Sequence, residues 1–216
     1  MKSELLKDNG PPPAPDQREE QTTDNRPVKK LKNSKIMNTK QLPRGIRNNN
    51  PLNIRYVERN KWKGRRETNT DGEFEQFESM KWGIRAAYIL IHNYIHIYGL
   101  QSIKAIVSRW APAEDGNDPD SYAERVRELM EKCSVNYRLD FSNGADMVRL
   151  VYAMAIVENG TRLGYHAIME GYAMACADMN IEPHLGGINS YVYEDMDVTQ
   201  AAMQRDFEYY RKKIKN

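Results

Sequence analysis

A chain of 216 residues is long enough to bury one sizeable core with tails to spare. It is 40% hydrophobic and 29% charged with a mean hydropathy of −0.80, polar for a globular protein yet not disordered throughout. A formal net charge of +2 leaves little excess for a phosphate backbone, which makes a nucleic-acid-packaging role, through the basic arm and the RRETN and YYRKKIK patches, the weakest of the candidate functions. No stretch approaches the roughly 20 apolar residues of a membrane span, and the N-terminus lacks the apolar segment of a secretory signal.

Residues 1–40 are polar, Pro-rich at Pro11-Pro12-Pro13 and mixed in charge, the composition of a disordered arm. Two readings of the arm stand side by side: translation starts at Met37, or the arm is a packaging or assembly tail. Residues 41–180 follow as the expected folded domain. Its first piece, RGIRNNNPLNIRY (Arg44–Tyr56), is a shaped loop: Pro51 biases Asn50 toward extended backbone, and asparagines tolerate left-handed geometry. Each carboxamide offers a donor and an acceptor, suited to bracing a loop or reading a sugar acetamide.

Asn53–Tyr56, Lys61–Gly64 and Glu73–Phe77 read as short strands separated by turn signals, forming a small β-hairpin lobe that carries Trp62, Phe74 and Phe77. Asp71 and Glu73 sit at its tip. A helix is expected from about Met80 to Gly99, a second over Ser102–Trp110, and a third from the Asp118 cap and Pro119 to about Cys133. EDGNDPD is a polar loop without the spacing of a calcium site. Cys133 and Cys176 lack metal-ligand spacing and are read as reduced thiols, with a single disulfide as the other option. No metal or cofactor is expected.

The stretch NGADMVRLVYAMAIVENG (Asn143–Gly160) reads as a central helix, capped by Asn143 and stopped by Asn159-Gly160. Glu158 falls in line with the core stripe at the helix's negative end. Apolar neighbours and that negative end both raise the pKa of a carboxyl group, which is what a general acid requires. The plainer reading is that Glu158 caps the helix or pairs with Arg162. A further helix is expected over Tyr165–Met179. Residues 181–216 form a loop and a last amphipathic helix, opened by an Asp197/Gln200 capping box.

Taken in order, RGIRNNNPLNIRY, Trp62, DGEFEQF, GIRAA, YGLQSIKAIVSRWAP, DSYAERV and AIVENG resemble a set of phage virion proteins with an RGIRNNNPGNIR-type signature. Leu52 replaces the usual glycine, which implies a less tight loop. A more distant resemblance is to glucosaminidase-type peptidoglycan hydrolases of the lysozyme-like superfamily. These place an acid-bearing helix before an NNLFGIK-type segment, an aromatic-Gly hairpin and an F-x-x-F/Y-x-S segment. Here NNNPLNIR, Trp62-Lys63-Gly64 and FEQFES come in that order, and AIVENG comes last, the order of a circular permutation.

These resemblances imply a mainly α (α+β) protein, a lysozyme-like helical domain with a small β-hairpin lobe. They imply Glu158 as general acid and Asp71 or Glu73 as a second carboxylate. Asn49, Asn50 and Asn53 would hold the loop or bind an N-acetyl group, and Trp62, Trp110 and Tyr122 would stack on sugars, with core packing as the alternative for Trp110. The implied function is a virion-associated glycoside hydrolase or lytic transglycosylase acting on peptidoglycan at the cell wall. Its rival is a non-catalytic virion protein that binds the wall or other virion proteins. Both fit a protein made in the host cytoplasm without a signal peptide and carried by a particle.

Overall fold

The computed structural model describes residues 42–185 and 200–215. The expected arm and Asp197 of the capping box lie outside them. Seven α-helices are described: α1 (Arg44–Arg47), α2 (Met80–His96), α3 (Ile103–Trp110), α4 (Pro119–Leu129), α5 (Gly144–Asn159), α6 (Tyr165–Met179) and α7 (Gln200–Lys215). The protein is mainly helical.

α5 is the buried centre. The Asn143 side chain accepts the Asp146 N–H at its start, and Gly160 ends it with φ +63°. Met147, Val148, Leu150, Val151 and Met154 are fully buried, so the helix is apolar around its circumference, as expected of an element packed on several sides. Its N-terminus is tied to the segment after α4, because Asp146 accepts hydrogen bonds from Lys132 at 2.7 Å, Tyr137 at 2.8 Å and Asn143 at 3.0 Å. α4 packs on α5, and α2 packs along α6. The α2–α6 approach is close at Gly171, where a Cβ would lie 2.7 Å from Ile84 Cγ2. Tyr88, Phe141 and Tyr172 fill the core behind it as a tilted and edge-on aromatic cluster.

The expected lobe differs. Instead of three strands, the described residues hold isolated antiparallel bridges, Arg55 to Phe74 and Arg65 to Phe77. The physical reason lies in the asparagine loop. The fully buried Asn50 donates to the carbonyls of Ile54 and Glu75 and accepts from the Ile54 N–H, satisfying backbone groups that a ladder would otherwise pair. Asn49 donates to the Phe77 carbonyl and Phe77 N–H donates to the Asn48 carbonyl. Backbone bonds still join these segments, from the Tyr56 N–H to Glu73, the Glu75 N–H to Ile54, the Arg66 N–H to Gln76 and the Glu78 N–H to Gly64, and the asparagine side chains end the pairing after these few bonds. The left-handed positions are Asn49 (φ +53°) and Asn53 (φ +50°), not Leu52, so leucine enters the signature without backbone strain.

α4 ends at Leu129, earlier than the expected Cys133, and the chain turns at Glu131 with φ +54°. The disulfide option falls away: Cys133 is exposed, Cys176 is buried, and both are free.

Candidate functional site

Glu158 is half-buried at the C-terminal turn of α5. Asn53 Nδ2 donates to its Oε2 at 2.8 Å, and the Tyr122 hydroxyl donates to its Oε1 at 2.8 Å. Burial raises the Glu158 pKa above its ordinary value, and the two donors pull it back only in part. The neighbouring Asn159 fixes the loop to the same helix end by donating to the Pro51 carbonyl at 2.6 Å. Gly45 is required beneath this junction, since a Cβ there would lie 2.6 Å from Asn159 Oδ1 and 2.9 Å from Asn53 Oδ1.

Glu158 opens onto a surface recess of about 120 Å³ that it shares with Asn53, Arg55, Phe74, Trp110, Ala111, Asp115 and Asn117. A second recess of about 280 Å³ also uses Asn53, Arg55, Trp110 and Asp115, and extends the lining to Trp62, Leu90, Tyr94 and Arg109. Shared walls make the two recesses one groove. Each is smaller than the roughly 300–1,000 Å³ of an enclosed small-molecule pocket, as suits a groove crossed by a longer ligand.

Asp71 and Glu73 line neither recess. They belong to a ladder of alternating charge. Asp71 pairs with Arg44 at 2.6 Å, Arg44 reaches Glu73 at 2.8 Å, Glu73 meets Arg55 at 3.1 Å, and Arg55 holds Asp115 at 3.1 Å. The Asp71 side chain is only 9% exposed. Its carboxyl lies well below the usual range, mainly because Arg44 donates to it, with Asn48 and the Phe74 N–H adding to the effect. Asp71 is therefore a structural anchor, and the ladder delivers Asp115 to the groove.

The other expected site residues divide. Asn49 and Asn50 brace the loop through backbone carbonyls. Asn53 meets the acid directly. Trp110 lines the groove with its ring fixed by Nε1 donating to the Leu52 carbonyl at 3.0 Å. Trp62 lines the larger recess. Tyr122 lines neither recess: its hydroxyl is spent on Glu158, and burial drives its pKa well above 10.

Arg55, Asp115 and Asn117 are groove residues that the sequence did not single out. Asp115 sits in the short 3₁₀ turn Ala113–Asp115, closed by Gly116 at φ +81°. The Asp115-Gly116 pair was the available signal, and it indicates a turn rather than a destination. Among the described residues no group of three or more His, Cys, Asp or Glu is placed to hold a metal ion.

Protein P5 of Pseudoalteromonas phage PM2 is 36% identical to this chain over 134 residues, which is 60% of this chain and 79% of the relative. The chain belongs to the Protein P5 family. No family model matches it. The kinship makes this a phage protein family, and the relative's name assigns no chemistry, which leaves chemistry to the groove.

Proposed function

We propose that this protein is a virion-associated peptidoglycan hydrolase that cuts the glycan strand, with Glu158 as general acid in a lysozyme-like domain. The observation that carries this reading is a half-buried carboxyl of raised pKa facing a groove beside an indole and a second carboxylate. A carboxyl group that holds its proton to higher pH than usual is better suited to protonate a leaving glycosidic oxygen. Asp115 replaces Asp71 and Glu73 as the second carboxylate, because it alone of the three lines the groove with Glu158. It activates water or stabilises the oxocarbenium-like state, according to the distance across which the sugar is held. Glu73 acts behind it, as a positioning residue through Arg55. Kinship with a phage protein supports a place in the virion, where other virion proteins are its partners.

A second reading keeps the groove and drops the chemistry: a non-catalytic virion protein that binds the wall. It is favoured by the engagement of both Glu158 oxygens, one by Asn53 and one by Tyr122. Incubation of the purified protein with peptidoglycan, followed by muropeptide analysis, separates the two. New reducing ends or anhydro ends establish cleavage and identify its type. Intact strands across a range of salt and pH, with the protein sedimenting on the sacculi, support the binding protein.

A further inference from the structure

We infer that the groove continues past Trp110 into a subsite, built from Tyr94, Tyr98 and Arg109, that takes the carboxylate of an acidic glycan strand. The inference rests on the reading of the groove as a glycan site, and it goes further by naming the ligand's charge.

Arg109 lies in the last turn of α3, one residue before the indole that walls the groove. Its guanidinium carbon stands 4.4 Å from the Tyr98 ring centroid and 5.5 Å from that of Tyr94. Two rings therefore hold the cation in place and desolvate one of its faces. Among the described residues no carboxylate lies within ion-pair distance of it, whereas Arg44 and Arg55 each have two and Arg65 has one. Arg109 thus presents an oriented, uncommitted fork, the geometry that matches a planar carboxylate.

The rings form a surface of their own. Tyr94 meets Trp110 edge to face at 6.1 Å and Tyr98 at 6.3 Å. Tyr98 is 55% exposed and the adjacent Ile97 is 69% exposed, so the track runs out of the groove onto open surface. Aromatic faces favour the C–H side of a pyranose ring, and the cation beside them selects a sugar that carries an acid. Asp115, the groove's own exposed carboxylate, is occupied by Arg55 and does not compete for Arg109. The ligand chemistry is a strand of N-acetylated sugars bearing carboxylates, supplied either by the lactyl ether of muramic acid or by an attached peptide. An uncharged N-acetylglucosamine polymer lacks it.

The test measures binding in the Glu158→Gln background, so that ligands stay intact. Calorimetry is run with peptide-bearing glycan strands, peptide-free strands that keep the lactyl carboxylate, and chitin oligosaccharides of matched length. Arg109→Gln is expected to weaken binding of the carboxylate-bearing strands by about tenfold or more, the scale of one charge-assisted hydrogen bond, and to leave chitin oligosaccharides unchanged. Arg109→Lys is expected to recover part of the loss. Because the peptide is attached through the lactyl carboxyl as an amide, loss with peptide-free strands alone assigns the lactyl carboxylate, loss with peptide-bearing strands alone assigns a peptide carboxylate, and loss with both assigns a fork that accepts either. Unchanged binding in Arg109→Gln, an equal loss on chitin oligosaccharides, or no binding of any strand overturns the inference. A wild-type protein that binds strands through Arg109 yet releases no products sustains the subsite and removes the hydrolase.

Discussion

Asn53 Nδ2 lies 2.8 Å from Glu158 Oε2, although the two residues are 105 positions apart in the chain. The bond ties the asparagine loop to the last turn of the central helix. It places the candidate acid where a loop, two helices and the groove meet. Much of what can be tested follows from that junction.

Replacing Glu158 with glutamine is expected to abolish strand cleavage while leaving the fold intact, since the amide keeps the shape and cannot supply the proton. Loss of general acid catalysis costs about 10²–10⁴ in rate, within reach of a turbidity or muropeptide assay. The stability effect has a definite sign. Burial raises the folded-state pKa of Glu158, so the folded protein holds that proton more tightly than the unfolded chain. The stabilisation is complete below the ordinary carboxylate range near about pH 4 and is lost as pH climbs through the raised value. Urea unfolding should therefore show Glu158→Gln gaining on wild type as pH rises toward neutrality. A constant difference at all pH values would mean that Glu158 titrates normally.

Asn53→Gly tests the partner. Glycine accepts the left-handed backbone that Asn53 adopts, so the change mainly removes the carboxamide. That donor favours ionised Glu158, and without it the acid holds its proton to higher pH. The basic limb of the kcat/KM profile should move upward, and Tyr122→Phe should move it the same way. A lower rate with an unmoved limb would mean that another group sets it.

The helices were legible because their ends carry local chemistry. Asn143, Ser102 and Asp118 each accept a backbone N–H at a helix start, and Asn143 and Gly160 bracket α5 as expected. The Tyr165–Met179 span matches α6 end to end. In the lobe the expected segments meet through a few backbone bonds, and alternation cannot reveal that Asn50 ends the pairing by taking the Ile54 and Glu75 groups. Asp115 was hidden for a similar reason. Its position depends on Arg55, 60 residues away, and long-range pairing leaves no local period. For Tyr122 an aromatic ring suggests stacking, and only the fold shows that its hydroxyl points at Glu158.

The two ends of the charge ladder should separate stability from chemistry. Asp71→Asn removes the carboxylate that Arg44 and Asn48 hold, at a cost of roughly 2 kcal/mol, the scale of charge-assisted hydrogen bonds. Because the Asp71 pKa is depressed, wild type keeps this stabilisation above the ordinary carboxylate pKa and loses it as pH falls toward the depressed value. The difference between variant and wild type should therefore shrink in acid, while cleavage by the folded fraction persists. Asp115→Asn should do the reverse, lowering kcat with little change in unfolding. Equal activity losses in the two variants would remove Asp115 from its proposed role.

Gly83→Ala tests whether α2 sets the height of the asparagine loop. A Cβ at Gly83 would lie 2.0 Å from the Asn49 carbonyl oxygen and 3.1 Å from Asn50 Cα. These are backbone atoms, so no rotamer change relieves the clash, and the loop must move away from the helix. Overpacking of this kind typically costs about 1–3 kcal/mol and sometimes more. Gly72→Ala is the control: it has φ +80° but open space around the new methyl, so its cost is the left-handed penalty alone, about 1–2 kcal/mol. Both variants should lower the unfolding temperature. Only Gly83→Ala should also lower cleavage by the folded protein, because the displaced loop carries the Asn53 wall of the groove out of place. Activity measured well below both unfolding transitions makes the comparison, and full activity in folded Gly83→Ala would uncouple the loop from the acid.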